Sequence, residues 1–162
     1  MDKKRSTKRG GQNRGQRDAK PEFDHKVVDV RRVTRVVAGG RRFSFSVVAV
    51  IGDRKGRAGV GVGKAGDTSL AIDKAMNSAK KVMITVPLTK TSSIRHEITA
   101  KFNASVVVIR PAPGKGLVAG SSVRTVLDLA GVKDVNAKLT SRSKNKLNNA
   151  RAAIIALKSL TK

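Results

Sequence analysis

The sequence predicts an α+β protein built in two units, a three-stranded antiparallel sheet with one helix followed by a β-β-α-β-α arrangement. Phe43, Phe45, Val47, Ala49 and Ile51 alternate with Ser44 and Ser46, the period-two signature of a strand with one buried face. Leu70, Ala71, Ala75, Ala79 and Val82 recur at helical spacing, as do two later sets in the C-terminal half. Between the halves, Pro87 to Ser93 is rich in Thr and Ser and reads as a linker.

Met1 to Lys20 holds eight basic residues and no aliphatic side chain after Met1 except Ala19. Such a segment cannot bury enough surface to fold alone, so residues 1–22 are expected to form a disordered basic arm that orders along RNA. From Phe23 to Ala38, six valines interleaved with Lys26, Arg31, Arg32 and Arg35 suit a strand, with a bulge expected near Arg31-Arg32 where the alternation fails. Gly39-Gly40 should supply the positive φ angles of a two-residue hairpin turn, which puts Arg41 and Arg42 at a tight cationic tip. Gly52-Asp53-Arg54-Lys55-Gly56 makes the next turn, again with its charges at the bend.

After Arg57, Gly59, Gly61 and Gly63 share one face of a strand whose other face carries Ala58, Val60 and Val62, and Lys64 follows. Something must approach that bare backbone closely: either a helix packs against the glycines, or the sheet lies there on phosphates. Asp67 is placed to cap a helix that runs to about Met83, with Lys80 and Lys81 at its favourable C-terminal end. In the second half, Ile94 to Lys101 and Ala104 to Arg110 are strand candidates, joined near Phe102-Asn103. A Pro- and Gly-rich turn carrying Lys115 precedes an expected helix from Leu117 to Gly131, which includes Arg124. Lys133 to Leu139 is a further strand, and Leu147, Ala150, Ile154, Leu157 and Leu160 mark a last helix. The expected domains are therefore 23–88 and 94–162.

Composition narrows the chemistry. Thirty-five Lys and Arg against eleven Asp and Glu give a formal charge of +24, which repels itself unless a polyanion neutralises it. Nucleic acid is the favoured partner, because no apolar run approaches the roughly 18 to 20 residues of a membrane span. Without cysteine the chain has no thiol catalysis, no zinc-thiolate site and no disulfide, and this suits a cytoplasmic protein. Four Phe with no Trp or Tyr argue against a platform that stacks single-stranded bases. Enzyme signatures fail as well. A P-loop would need Gly and Ser or Thr where Ala58 and Ala65 stand, and Gly59-x-Gly61-x-Gly63 is not a dinucleotide fingerprint. His25 beside Asp24, and His96 beside Glu97, point to opposite faces of a strand and make no dyad. The chain is expected to be no enzyme and to need no cofactor.

Three motifs then become recognisable. Val33, Val36, Gly39, Gly40, Arg41, Phe43, Ser44 and Phe45 fit V-x-x-V-x-x-G-G-R-x-F-S-F, and G-D-x-x-G-R-x-G-x-G-x-G-K-A follows from Gly52 to Ala65. The helix contains K-A-M-x-x-A-K-K, ending at Lys81, and Pro111-Ala112 precedes G-x-G-L-V-A-G-x-x-V-R-x-V-L-D-x-A-G-V from Gly114 to Val132. On these residues the chain resembles the bacterial small-subunit ribosomal protein five family, from about Val27 to Leu160. It departs from the family pattern at Ala100, Ala104 and Lys115 and between Arg142 and Asn148.

The resemblance implies an N-terminal domain similar to double-stranded-RNA-binding folds and a C-terminal domain of the type that several ATPases share with elongation factor G. It implies a structural constituent of the small ribosomal subunit, in the cytoplasm or an organelle, that binds 16S ribosomal RNA beside small-subunit proteins four and eight. Messenger RNA would lie nearby, and decoding accuracy and the spectinomycin response would depend on the Gly-Gly loop. The expected RNA-binding residues are Arg31, Arg32, Arg35, Gly39, Gly40, Arg41, Arg42, Arg54, Lys55, Arg57, Gly59, Gly61, Gly63, Lys64, Lys115 and Arg124. A free double-stranded-RNA-binding regulator is the alternative, which co-sedimentation with ribosomes separates from the first.

Overall fold

The structure, a computed structural model, describes residues 22–89 and 91–160, so the expected basic arm lies outside the described residues except for Glu22. Strand β1 (Asp24–Val37) pairs antiparallel with β2 (Gly40–Gly52), which pairs with β3 (Arg57–Ala65). A short β4 (Ile84–Thr85), not expected from the sequence, adds to the end of β3 and completes the order β1-β2-β3-β4. Helix α1 (Thr68–Lys81) is capped by Asp67, whose carboxylate accepts from the Thr68 N–H. The second sheet has the order β5-β6-β8-β7. Its elements are β5 (Ile98–Phe102), β6 (Ser105–Pro111), β7 (Leu117–Val118) and β8 (Val135–Leu139), with helices α2 (Ser121–Ala130) and α3 (Lys146–Ser159). The α+β class and the two-part architecture are those the sequence predicts.

Several local expectations are corrected. The register of β1 slips between Val27 and Asp29, at Val28, and not at Arg31-Arg32. Val27 packs with Ala71 and Ala75, whereas the adjacent Val28 packs against a different core, so the bulge falls where the strand must serve both. Arg31 and Arg32 break the apolar alternation because both faces of the sheet are exposed there. In the hairpin, Val37 pairs with Gly40, so the two turn residues are Ala38 and Gly39, and only Gly40 has a positive φ, of 122°. Residues 94–97 lie outside the strands, so β5 begins at Ile98.

Leu117 and Val118 form a strand parallel to β8 instead of opening the helix. Gly114 and Gly116, both at positive φ, turn the chain back, and the Gly116 N–H is held by the Asp134 carboxylate at 3.0 Å. That holds the next two residues beside β8. Gly131 ends α2 as expected, at φ 77°, donating to the Asp128 and Leu127 carbonyls.

What approaches the bare face of β3 is α1. A Cβ on Gly59, Gly61 or Gly63 would lie within 3.0 Å of the backbone of Ala79, Ala75 or Ala71 respectively. The three alanines stand four residues apart on one helix face, so a row of glycines meets a row of alanines and the two backbones pack directly. The expectation that phosphates approach these glycines on that face is thereby corrected: all three are buried under the helix.

The other face of the same sheet is covered by the second unit. Val48, Val50, Ala58 and Val60 share a single core with Ile109, Leu127, Val135, Ile154 and Leu157, which is why Val47 to Gly52 is buried without alternation. The turn between β2 and β3 joins the units through main-chain bonds, Arg54 N–H to the Leu129 carbonyl and Gly56 N–H to the Ala130 carbonyl, both 2.9 Å. Gly52 and Gly131 make the approach possible, since a Cβ on either would overlap the backbone of Leu129 or Arg54.

The helix-on-glycine packing makes a direct prediction. Gly61→Ala should destabilise the protein by roughly 1–3 kcal/mol or more, because the added methyl has only backbone to displace. Gly66→Ala, where the same methyl meets open space, should change stability by less than about 0.5 kcal/mol. Urea denaturation of the two variants beside the parent chain checks both, and equal midpoints would contradict the packing argument.

Candidate nucleic-acid interface

β3 ends its pairing with β2 at Phe45, so Val33–Val37 and Gly40–Ser44 project past the sheet as a two-stranded ribbon. Among the described residues the ribbon has no third strand and no helix to bury it. Val36 is 75% exposed and Phe43 47% exposed, although the alternation of Phe43 with Phe45 reads in sequence as a continuous buried face.

Cross-strand register places the cations. Arg35 stands directly opposite Arg42, and Arg31, Ser46 and Lys64 form one row across three strands, so these four basic residues share a face. On the other face Val36 opposes Arg41, and Arg32 lies over the Phe43 ring with 3.8 Å from guanidinium carbon to centroid. The backbone thus presents cations on both sides of a narrow ribbon. Ala38, Gly39 and Gly40 at its tip are exposed, with nothing near either glycine that a Cβ would meet.

The remaining expected residues are not gathered here. Arg54 and Lys55 lie at the opposite end of β2, which at about 3.3 Å per residue puts them on the order of 40 Å from the tip. Arg54 pairs with Asp24 at 3.3 Å, while Lys55 is exposed and has no carboxylate partner among the described residues. Lys115, in the turn before β7, and Arg124, near the start of α2, are exposed on the second unit. Arg31 is bonded to Asp29 at 2.7 Å yet keeps an exposed side chain. Sequence reasoning omitted Phe43 and Lys74, whose Nζ donates to the Lys64 carbonyl at 3.5 Å. No local signal distinguishes Phe43 from Phe45, because only the length of β3 does so.

Arg57 has a structural role. Its Nε donates to the Asp53 carboxylate at 2.6 Å, its side chain also reaches Glu22 at 3.4 Å, and it lies over the Phe23 ring. The Asp53 carboxylate also accepts the Lys55 and Arg57 backbone N–H groups at 2.8 and 3.0 Å, closing the turn. Burial by itself would push this carboxyl up, but the Arg57 side chain and the two backbone donors outweigh it and hold the group below its ordinary range. The Asp53 pair holds the same turn that bonds to the end of α2.

Asp53→Asn should therefore lower stability near neutral pH by roughly 1.5–3 kcal/mol, the range for hydrogen bonds to charged groups. With a folded pKa below the unfolded one, this stabilisation is complete above the unfolded value of about 3.9 and fades as pH falls through the folded value. Urea midpoints of parent and variant should stay apart down to about pH 4 and converge only as pH falls below about 3.9 towards the folded value. A constant gap would mean that the ionised carboxylate is not the partner.

The exposed basic ribbon, the helix-backed sheet and the second α+β unit can be set beside known proteins. The family model described as "Ribosomal protein S5, N-terminal domain" matches residues 23–87, and "Ribosomal protein S5, C-terminal domain" matches residues 100–162. The chain is 50% identical over 145 residues to "Small ribosomal subunit protein uS5c" of Emiliania huxleyi, covering 89% of this chain and 91% of that one. It is 51% identical over 140 residues to "Small ribosomal subunit protein uS5" of Synechococcus elongatus, covering 86% and 77%. Similarity at this level across both units shows that the chain belongs to the ribosomal protein S5 family.

Proposed function

We propose that the chain is a structural constituent of the small ribosomal subunit that holds 16S ribosomal RNA mainly through the β1–β2 ribbon. The observation that carries this reading is Arg35 standing opposite Arg42, neither having a carboxylate partner among the described residues. Like charges directly opposite each other destabilise a hairpin, so the pair is favourable only when a polyanion lies along it. RNA phosphates supply that charge, and the shortage of exposed aromatic rings suits recognition of backbone and shape.

Membership of the family and the small-subunit names of the relatives support the ribosomal placement. In the proposed division of labour, residues 1–22 form an RNA-binding arm, 23–88 carry the ribbon, and 94–162 add Lys115 and Arg124. Small-subunit proteins four and eight as neighbours, proximity to messenger RNA and support of decoding accuracy follow from the family resemblance. Co-sedimentation with ribosomes at near-physiological salt tests the placement, and a chain found free of ribosomes would favour a regulatory RNA-binding protein instead.

Two outcomes are expected for the ribbon. In binding to small-subunit particles depleted of this protein, log K should fall with log salt, and Arg41→Gln with Arg42→Gln should reduce the slope by about 1.4 to 1.8. An unchanged slope would remove the ribbon from the RNA contact. Gly40→Val, at a φ of 122° that β-branched residues rarely adopt, should displace the exposed tip and alter misreading frequency and spectinomycin sensitivity. Its thermal midpoint should fall by less than about 8 °C, since the tip lies outside both cores. A larger fall would assign Gly40 to stability.

A further inference from the structure

We propose that the open face of the second sheet is another RNA-backbone contact, in which Lys101, Arg110 and Lys138 hold phosphates. This inference rests on the ribosomal reading above and adds a surface on the C-terminal unit beyond Lys115 and Arg124. Helices α2 and α3 cover only one face of that sheet, burying Ile98, Ala100, Val107, Ile109, Val135 and Ala137. The alternate residues point the other way, and Thr99, Lys101, Arg110, Lys138 and Thr140 are exposed there with no element of the described chain over them.

Register sets the spacing of the groups. Thr99 pairs with Val108, which pairs with Lys138, while Lys101 pairs with Val106 and Arg110 with Asn136. With strands about 4.8 Å apart and an offset of two residues along β6, Lys101 on β5 and Lys138 on β8 stand roughly 12 Å apart on either side of β6. Over β6 and β8, beside Lys138, lies a depression of about 230 Å³ lined by Val108, Arg110, Asn136, Lys138 and Thr140. The only carboxylate bonded at this face among the described residues is Glu97, 2.8 Å from the Arg110 Nε, and the Arg110 side chain remains 66% exposed.

Two features select the ligand. Asn136, half-buried, lines the depression as a polar group beside Lys138 and Thr140. The face carries no aromatic ring on which a base could stack, and its apolar content is limited to the half-buried Val106 and Val108 with Val118 at the margin. This surface is too polar and too cationic for an apolar protein contact, and it suits a sugar-phosphate chain.

The chain has no cysteine, so a single introduced thiol can carry a tethered iron chelate that cuts nearby RNA backbone. Thr99→Cys on the sheet face and Thr34→Cys on the ribbon, each in the full chain assembled into subunits, are both expected to produce localised cleavage of 16S ribosomal RNA. Cleavage from Thr34→Cys without cleavage from Thr99→Cys would overturn this inference and leave the ribbon reading intact. Absence of cleavage from both would overturn the RNA reading itself. In a second measurement, Lys101→Gln with Lys138→Gln should reduce the slope of log K against log salt by about 1.4 to 1.8. An unchanged slope, or a thiol at position 99 that cross-links to a neighbouring protein, would assign the face to a protein partner and overturn the proposal.

Discussion

Two backbone N–H groups of the β2–β3 turn, on Arg54 and Gly56, bond to the last carbonyls of α2, and the rest of the arrangement depends on that seat. A helix end buried without partners for its carbonyls is costly, so the turn satisfies groups that solvent can no longer reach. The approach is close enough that neither Gly52 nor Gly131 could carry a side chain, and the Asp53 carboxylate holds the turn in the shape that delivers both donors. Once the turn is seated, the outer face of the first sheet becomes the inner wall of a core shared with the second unit.

The first sheet is consequently enclosed from both sides along only part of its length. Helix α1 presses against the glycines of β3, and α2 and α3 lie towards the opposite face. Where β3 stops and none of the three helices reaches, β1 and β2 continue as a ribbon that no described residue covers, and the concentrated positive charge is placed there. A single hairpin is thus packed rigidly at one end and left as an exposed charged ribbon at the other. The same division recurs in the second sheet, whose inner face is apolar and whose outer face carries the cations.

Charge also sorts by partner. Arg57 and Arg31 are bonded to carboxylates close by in the chain, and Arg57 positions a turn. Arg35, Arg41 and Arg42 have no such partner among the described residues, which leaves their donors for an external anion. Sequence alone does not separate these two groups, because an arginine in a hairpin looks the same whether or not an aspartate folds back onto it.

By itself the sequence determined the class of partner, through a charge of +24, and the position of most elements, through period-two and helical patterns that local geometry imposes. It also determined the helix boundaries at Asp67 and Gly131, since caps act within a few residues. The tertiary structure decided what depends on contacts between distant segments. It showed that the glycine face of β3 receives α1, that Val28 carries the bulge because two cores meet there, and that Leu117-Val118 pairs with β8. It decided as well which cations remain exposed and without a carboxylate partner among the described residues, because the length of β3 relative to β2, and not any feature of residues 33–44, is what ends the sheet before the ribbon.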